Sequence, residues 1–157
     1  MKIPHIKLFL NENEIRAVRN VLDSGFIAEG KQVREFEKLL CKYIGTNFAC
    51  AINSGTSSLH LVLNCLNLQP DDEIILPSYL CTAPLNAINY TGAKPVLTDI
   101  NRDDFTIDIN DLETKLSEKT KAIIVPHMFG APADMDLIYS LITQKKKSTD
   151  TNIALIE

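Results

Sequence analysis

The sequence predicts an α/β protein with a mostly parallel sheet and helices on both faces. Two observations carry this: short apolar runs of four or five residues alternate with helical stretches along the chain, and a polar glycine turn joins the first run to the helix after it. Neighbouring parallel strands need a crossover connection, which is what the intervening helices supply. The chain has 157 residues, 45% hydrophobic and 23% charged, so it can bury a core and has neither a disordered nor a coiled-coil composition.

The elements follow in order. Asn11 caps a helix with Glu14 at its third position, Ile15, Val18 and Leu22 on one face, and Gly25 just past the end. Val33, Phe36, Leu40 and Tyr43 recur at helical spacing before Gly45. Phe48 to Ile52 is a short apolar run that suits a buried strand, and Asn53-Ser54-Gly55-Thr56-Ser57-Ser58 leads from it into an apolar helix from Leu59 to Leu68. Further strands are expected at Glu73 to Leu76, Pro95 to Thr98, Ala122 to Val125 and Ile153 to Ile156. Helices are expected near Ala83 to Tyr90, Asp111 to Leu116 and Asp134 to Gln144. No linker divides the chain, which reads as one α/β unit behind a helical N-terminal arm. Ile153 to Glu157 reads as an interior strand with nothing after it, and this makes truncation an expectation.

Composition narrows the function. A net charge of −4 without a basic stripe argues against a nucleic-acid binder, and Lys145-Lys146-Lys147 reads as a solvated helix end. No apolar stretch is long enough for a membrane span, and Met1-Lys2-Ile3-Pro4-His5 lacks the apolar core of a signal peptide, so a cytoplasmic protein is expected. Cys41, Cys50, Cys65 and Cys81, with His5, His60 and His127, offer no zinc spacing; reduced, mostly buried thiols are expected and no metal.

Chemistry has few places to sit. The Ser54 to Ser58 turn opens a helix, where unpaired N–H groups, the helix dipole and hydroxyls suit a phosphate, although Ser54 or Thr56 also reads as a plain helix cap. The turn is neither a Walker loop nor a dinucleotide fingerprint. His127 follows a strand and suits either contact with a cofactor, orientation of a neighbour, or a structural hydrogen bond. Asp99 closes another strand, with a turn role for Asp99 to Asp104 as its plainer reading. Tyr79, Cys81 and Thr82 lie on a loop opening a helix and either line a pocket or pack.

Taken in order, the segments resemble the DegT/DnrJ/EryC1/StrS aminotransferases. The resemblance rests on Gly25-Phe26-Ile27-Ala28-Glu29-Gly30 with Phe36-Glu37, on Asn53 to Leu59, and on Pro77-Ser78-Tyr79 with Asn86-Ala87-Ile88. It continues through Gly92 to Val96, Thr120 to Ile124, His127-Met128-Phe129-Gly130 and Ala133-Asp134-Met135-Asp136. It spans about Ile6 to Glu157 and implies a pyridoxal-phosphate enzyme of the aspartate-aminotransferase fold (fold type I). In such an enzyme an amino group passes from a donor such as glutamate to a nucleotide-linked keto sugar in polysaccharide or amino-sugar biosynthesis, within a homodimer. The resemblance further implies that Thr56 and Ser57 hold the cofactor phosphate through N–H and hydroxyl groups, with Gly55 allowing close approach. The position of Cys81 commonly carries an aromatic residue that stacks on the pyridine ring, so a thiol there alters the stacking while still permitting a sulfur–aromatic contact. Pro70-Asp71-Asp72 departs from the family's usual glycine before the Asp.

The larger departure is absence. The family's Asp that pairs with the pyridine nitrogen follows the strand matching Ile153 to Glu157, and its cofactor-binding lysine lies further on; no lysine here stands in matching context. No catalytic residue is therefore assigned. Residues 1–157 are expected to hold the N-terminal arm and the first part of the large domain, without the small C-terminal domain, and the chain alone is expected to be inactive. Two alternatives stand: a non-catalytic remnant or interaction module retaining an anion site, and a relative that is a sugar dehydratase. The strand matching Phe48 to Ile52 pairs in the family with a late strand absent here. Four contiguous parallel strands are thus expected, with Phe48 to Ile52 unpaired and an uncovered edge beside Ala122 to Val125.

Overall fold

The structure, a computed structural model, describes residues 6–149 and 152–157; Met1 to His5, read above for a signal peptide, lie outside them. The chain divides into two compact units, residues 1–51 and 52–157.

The first unit holds two helices, each set by local chemistry. Helix α1 (Glu12–Asp23) opens with a complete capping box: the Asn13 N–H donates to the Asn11 side chain, and the Asn11 N–H donates to Glu14 Oε2 at 2.7 Å. Gly25, at φ 68°, turns the chain just beyond its end. Helix α2 (Lys31–Ile44) stops at Gly45, whose left-handed backbone lets its N–H bond the Cys41 carbonyl at 2.8 Å. Neither helix buries a residue, and their apolar stripes, including Ile15, Val18, Phe36 and Tyr43, remain exposed. Phe48 to Ile52 does not form the expected strand. A strand exists only through a neighbour's ladder, and among the described residues none pairs with this run; Phe48 is 90% exposed. The expectation that it would stand unpaired holds.

The second unit is a four-stranded parallel sheet in the order β2-β1-β3-β4: β1 (Glu73–Pro77), β2 (Lys94–Thr98), β3 (Thr120–Ile124) and β4 (Ala154–Ile156). Alternate side chains point to opposite faces and build two cores. Ile74 and Leu76 of β1, with Ala122 and Ile124 of β3, pack with α3 (Gly55–Asn64) and α4 (Ala83–Thr91) through Leu63, Ala87 and Ile88. Ile75 and Ile123, with Val125 just past β3, pack on the other face with α5 (Ile109–Lys115) and α6 (Met135–Thr149) through Leu112 and Ile138. Helices thus cover both faces, as expected for the fold class.

Two details correct the sequence reading. Helix α3 begins four residues earlier than expected and ends at Asn64; Leu66 and Leu68 continue the apolar pattern because they pack on the core from the turn beyond the helix, where Asn67 takes φ 51°. The uncovered edge does not lie beside Ala122 to Val125. Strand β3 is central, paired with β1 and β4, and the open edges are β2 and β4. None of the helices in the described residues is long and apolar enough to cross a membrane.

Candidate functional site

Parallel strands place all their carboxyl ends on one edge of the sheet, the edge at which α/β proteins bind ligands. Helix α3 leads into β1 and lies on that strand's face, so it runs back across the sheet with its N-terminus at the same edge. Four loops therefore converge there: the α3 entry, the Ser78 to Thr82 loop, the Asp99 to Asp108 loop and the segment after β3.

At the α3 entry, Ser54 is the cap. Its extended backbone turns its side chain onto the helix, its Oγ accepts the Ser57 N–H at 3.1 Å, and its hydroxyl donates to Ser57 Oγ at 2.9 Å. Ser58 closes the turn by donating its hydroxyl to the Ser54 carbonyl at 3.1 Å. The plain cap reading of Ser54 is thus correct, and the Ser57 N–H is already used. The N–H groups of Gly55 and Thr56 have no acceptor among the described residues, and the hydroxyl protons of Thr56 and Ser57 are free to point outward. A Cβ built on Gly55 would meet nothing within 4 Å, so the space above these donors is open. Gly55 matters here for access, since its backbone is not left-handed. Four donors, two of them backbone N–H at the positive end of a ten-residue helix, fit a phosphate. Helix α3 is held against α4 by the edge-to-face contact of His60 with Tyr90, ring centroids 5.3 Å apart.

Cys81 is exposed on the loop before α4, one residue ahead of the N-cap Thr82, and the other thiols are free as well. Only Cys41 is even half-buried, which corrects the expectation of mostly buried cysteines. Asp99 has a turn role: its N–H donates to Asp111 Oδ2 at 2.8 Å and its carbonyl accepts the Asp108 N–H. Within the same loop Asp104 Oδ1 accepts both the N–H and the hydroxyl of Thr106, and these bonds hold its carboxyl below the usual carboxylate range. His127 contacts Glu157 and the Ala133 amide, at 3.2 and 3.1 Å.

Sequence reasoning missed one grouping. Tyr79, Phe105 and Phe129, from three separate loops, bring their ring centroids within 5.6 to 6.4 Å of one another. Phe105 and Phe129 both hold left-handed backbone, uncommon for bulky residues. Their spacing in the chain gives no periodic signal; only the strand order brings these loops together.

A parallel sheet covered on both faces, with an open helix entry at its carboxyl edge, defines the class: an α/β protein with a mostly parallel sheet. The family model of the DegT/DnrJ/EryC1/StrS aminotransferase family matches residues 9–149, and the chain belongs to that family. Among solved structures it is similar to Spr1654 from Streptococcus pneumoniae, a protein assigned as a sugar aminotransferase, in its PMP form, with 35% identity and a TM-score of 0.88 over 94% of this chain. It is also similar to the sugar aminotransferase CalS13 from Micromonospora echinospora (25% identity, TM-score 0.90, 98% of this chain and 42% of that one). S. venezuelae DesV gives 33% identity and a TM-score of 0.79 over 91% of this chain and 39% of its own. The chain spans 37% of the length of the Streptococcus protein.

Proposed function

We propose that this chain forms the N-terminal arm and the first part of the cofactor-binding domain of a pyridoxal-phosphate-dependent sugar aminotransferase. Its own contribution is the cradle for the cofactor phosphate. The observation that carries the reading is the set of donors at the α3 entry, the Gly55 and Thr56 N–H groups among them, that have no partner among the described residues of a chain of this family. Gly55 and Thr56 bind the phosphate through N–H groups; Thr56 and Ser57 add hydroxyls; Cys81 offers a thiol to the ring face. Pyridoxal phosphate, when bound, supplies an electron sink for chemistry at the carbon bearing the amino group. Ser54 orients the cradle, since its cap fixes the first turn whose N–H groups point at the ligand. The whole protein is read as a cytoplasmic homodimer that moves an amino group from a donor such as glutamate to a nucleotide-linked keto sugar. Similarity to solved structures of proteins named as sugar aminotransferases, at 35% and 25% identity, supports the sugar-aminotransferase part of this reading.

The test is titration of the ¹⁵N-labelled chain with inorganic phosphate and with pyridoxal phosphate. Gly55→Pro is the diagnostic variant: it deletes one unused N–H at the first helical position, where proline is well tolerated and the preceding Ser54 is already extended. Losing one hydrogen bond to an ionised phosphate, about 1.5–3 kcal/mol, weakens binding roughly ten- to a hundredfold with the helix intact. Thr56→Val acts similarly. Shifts confined to another region, or unchanged affinity in both variants, overturn the assignment.

A further inference from the structure

We infer that His127 is a positioning residue, locked as its neutral Nε2–H tautomer, that holds the Glu157 carboxylate across the carboxyl ends of β3 and β4. The Ala133 N–H is a donor only, and it points at His127 Nδ1 from 3.1 Å, so Nδ1 must present a lone pair. The ring proton of the neutral imidazole then sits on Nε2, which faces Glu157 Oε2 at 3.2 Å, an acceptor when ionised. The assignment of the tautomer thus follows from the partners rather than from the ring itself.

Both nitrogens are committed. With both nitrogens engaged within the chain, what the ring does in this structure is done through its neighbours. It joins three pieces of backbone: its own segment after β3, the loop ending at Ala133, and the end of β4. Ala133 is buried at 5% exposure, and its N–H would be left without a partner in an apolar core if the ring turned away. That demand fixes the ring, and the fixed ring aims Glu157. The tautomer and the clip stand independently of the proposed phosphate site, whereas their use, a carboxyl edge preformed before a ligand arrives, rests on that reading.

Long-range ¹H–¹⁵N correlation on the imidazole of the intact 157-residue chain at neutral pH reads the tautomer directly. The expected spectrum has Nδ1 unprotonated and Nε2 protonated; an Nδ1–H tautomer, fast exchange between the two, or a doubly protonated ring overturns the inference. Two variants separate positioning from mere packing. His127→Asn keeps an acceptor near the Nδ1 position, and His127→Gln keeps a donor near Nε2. The Ala133 amide should exchange with solvent about tenfold faster in His127→Gln, the value of one lost hydrogen bond, and near the parental rate in His127→Asn. Equal exchange in both overturns the clip. The ring spectrum of the unmodified chain decides the matter if either variant fails to fold, and phosphate affinity enters neither readout.

Discussion

Thr98, at the end of β2, is 1% exposed, and its hydroxyl is the buried side-chain group without a hydrogen-bond partner among the described residues. Burying an unpaired hydroxyl costs about 1–3 kcal/mol, and valine has the same shape without it. Thr98→Val should therefore stabilise the chain by about 1 kcal/mol, read as a higher urea midpoint at unchanged m-value. Asp104 gives a pH dependence. Its folded carboxyl titrates below the ordinary 3.8 because the Thr106 N–H, and secondarily the Thr106 hydroxyl, favour the charged form. A depressed carboxylate contributes stability that is full above its ordinary value and is lost as pH falls through the folded one. The Asp71 carboxyl, lowered first by its hydrogen bond to Lys94 and then by that charge, titrates in the same acid window. Carbon-detected titration should place the Asp104 midpoint below 3.8 in the parent and closer to it in Thr106→Val.

At the scale of elements, the features that the sequence displays openly are those determined within a few residues. The Asn11 and Glu14 box and the Gly45 stop need only their own neighbours. The start of α3 was hidden because apolar spacing marks the buried face of a helix, whereas its first turn here is polar and is marked by Ser54. Phe48 to Ile52 misled for the opposite reason: apolarity signals a preference for burial, and pairing depends on a neighbour that no local pattern encodes. The proposed phosphate cradle was legible as a polar glycine turn. The aromatic trio was not, since it depends on which strands are adjacent. Helix α3 also yields a stability prediction. Leu63 is fully buried against Ile74, Leu76 and Ile88, so Leu63→Ala should cost about 2–5 kcal/mol and free the α3 entry from its sheet. Phosphate binding should fall with it, beyond what loss of stability predicts for a site that is a rigid part of the sheet.

For the molecule as a whole, hydrogen exchange should separate the paired from the unpaired. Amides of β1 and β3, with neighbours on both sides, should exchange at least about a hundredfold more slowly than those of Phe48 to Ile52. Ala51 is the exception to look for, because its N–H donates to Glu37 Oε1 at 2.9 Å. Equal protection of the 48–52 run and the central strands, in a demonstrated monomer, would contradict the pairing described above.

The two rims of the sheet differ in kind. On β2 the Lys94 N–H turns inward to the Asp72 carbonyl, so the next nitrogen faces out, and that nitrogen belongs to Pro95, which has no hydrogen to offer. A charged lysine stands beside it. On β4, Ala154-Leu155-Ile156 carries neither proline nor charge, and the Ile156 carbonyl is turned inward to the Val125 N–H. The two rims are therefore unequal in what they offer an added strand: β2 lacks one of its outward donors and β4 lacks none, which favours extension beside β4.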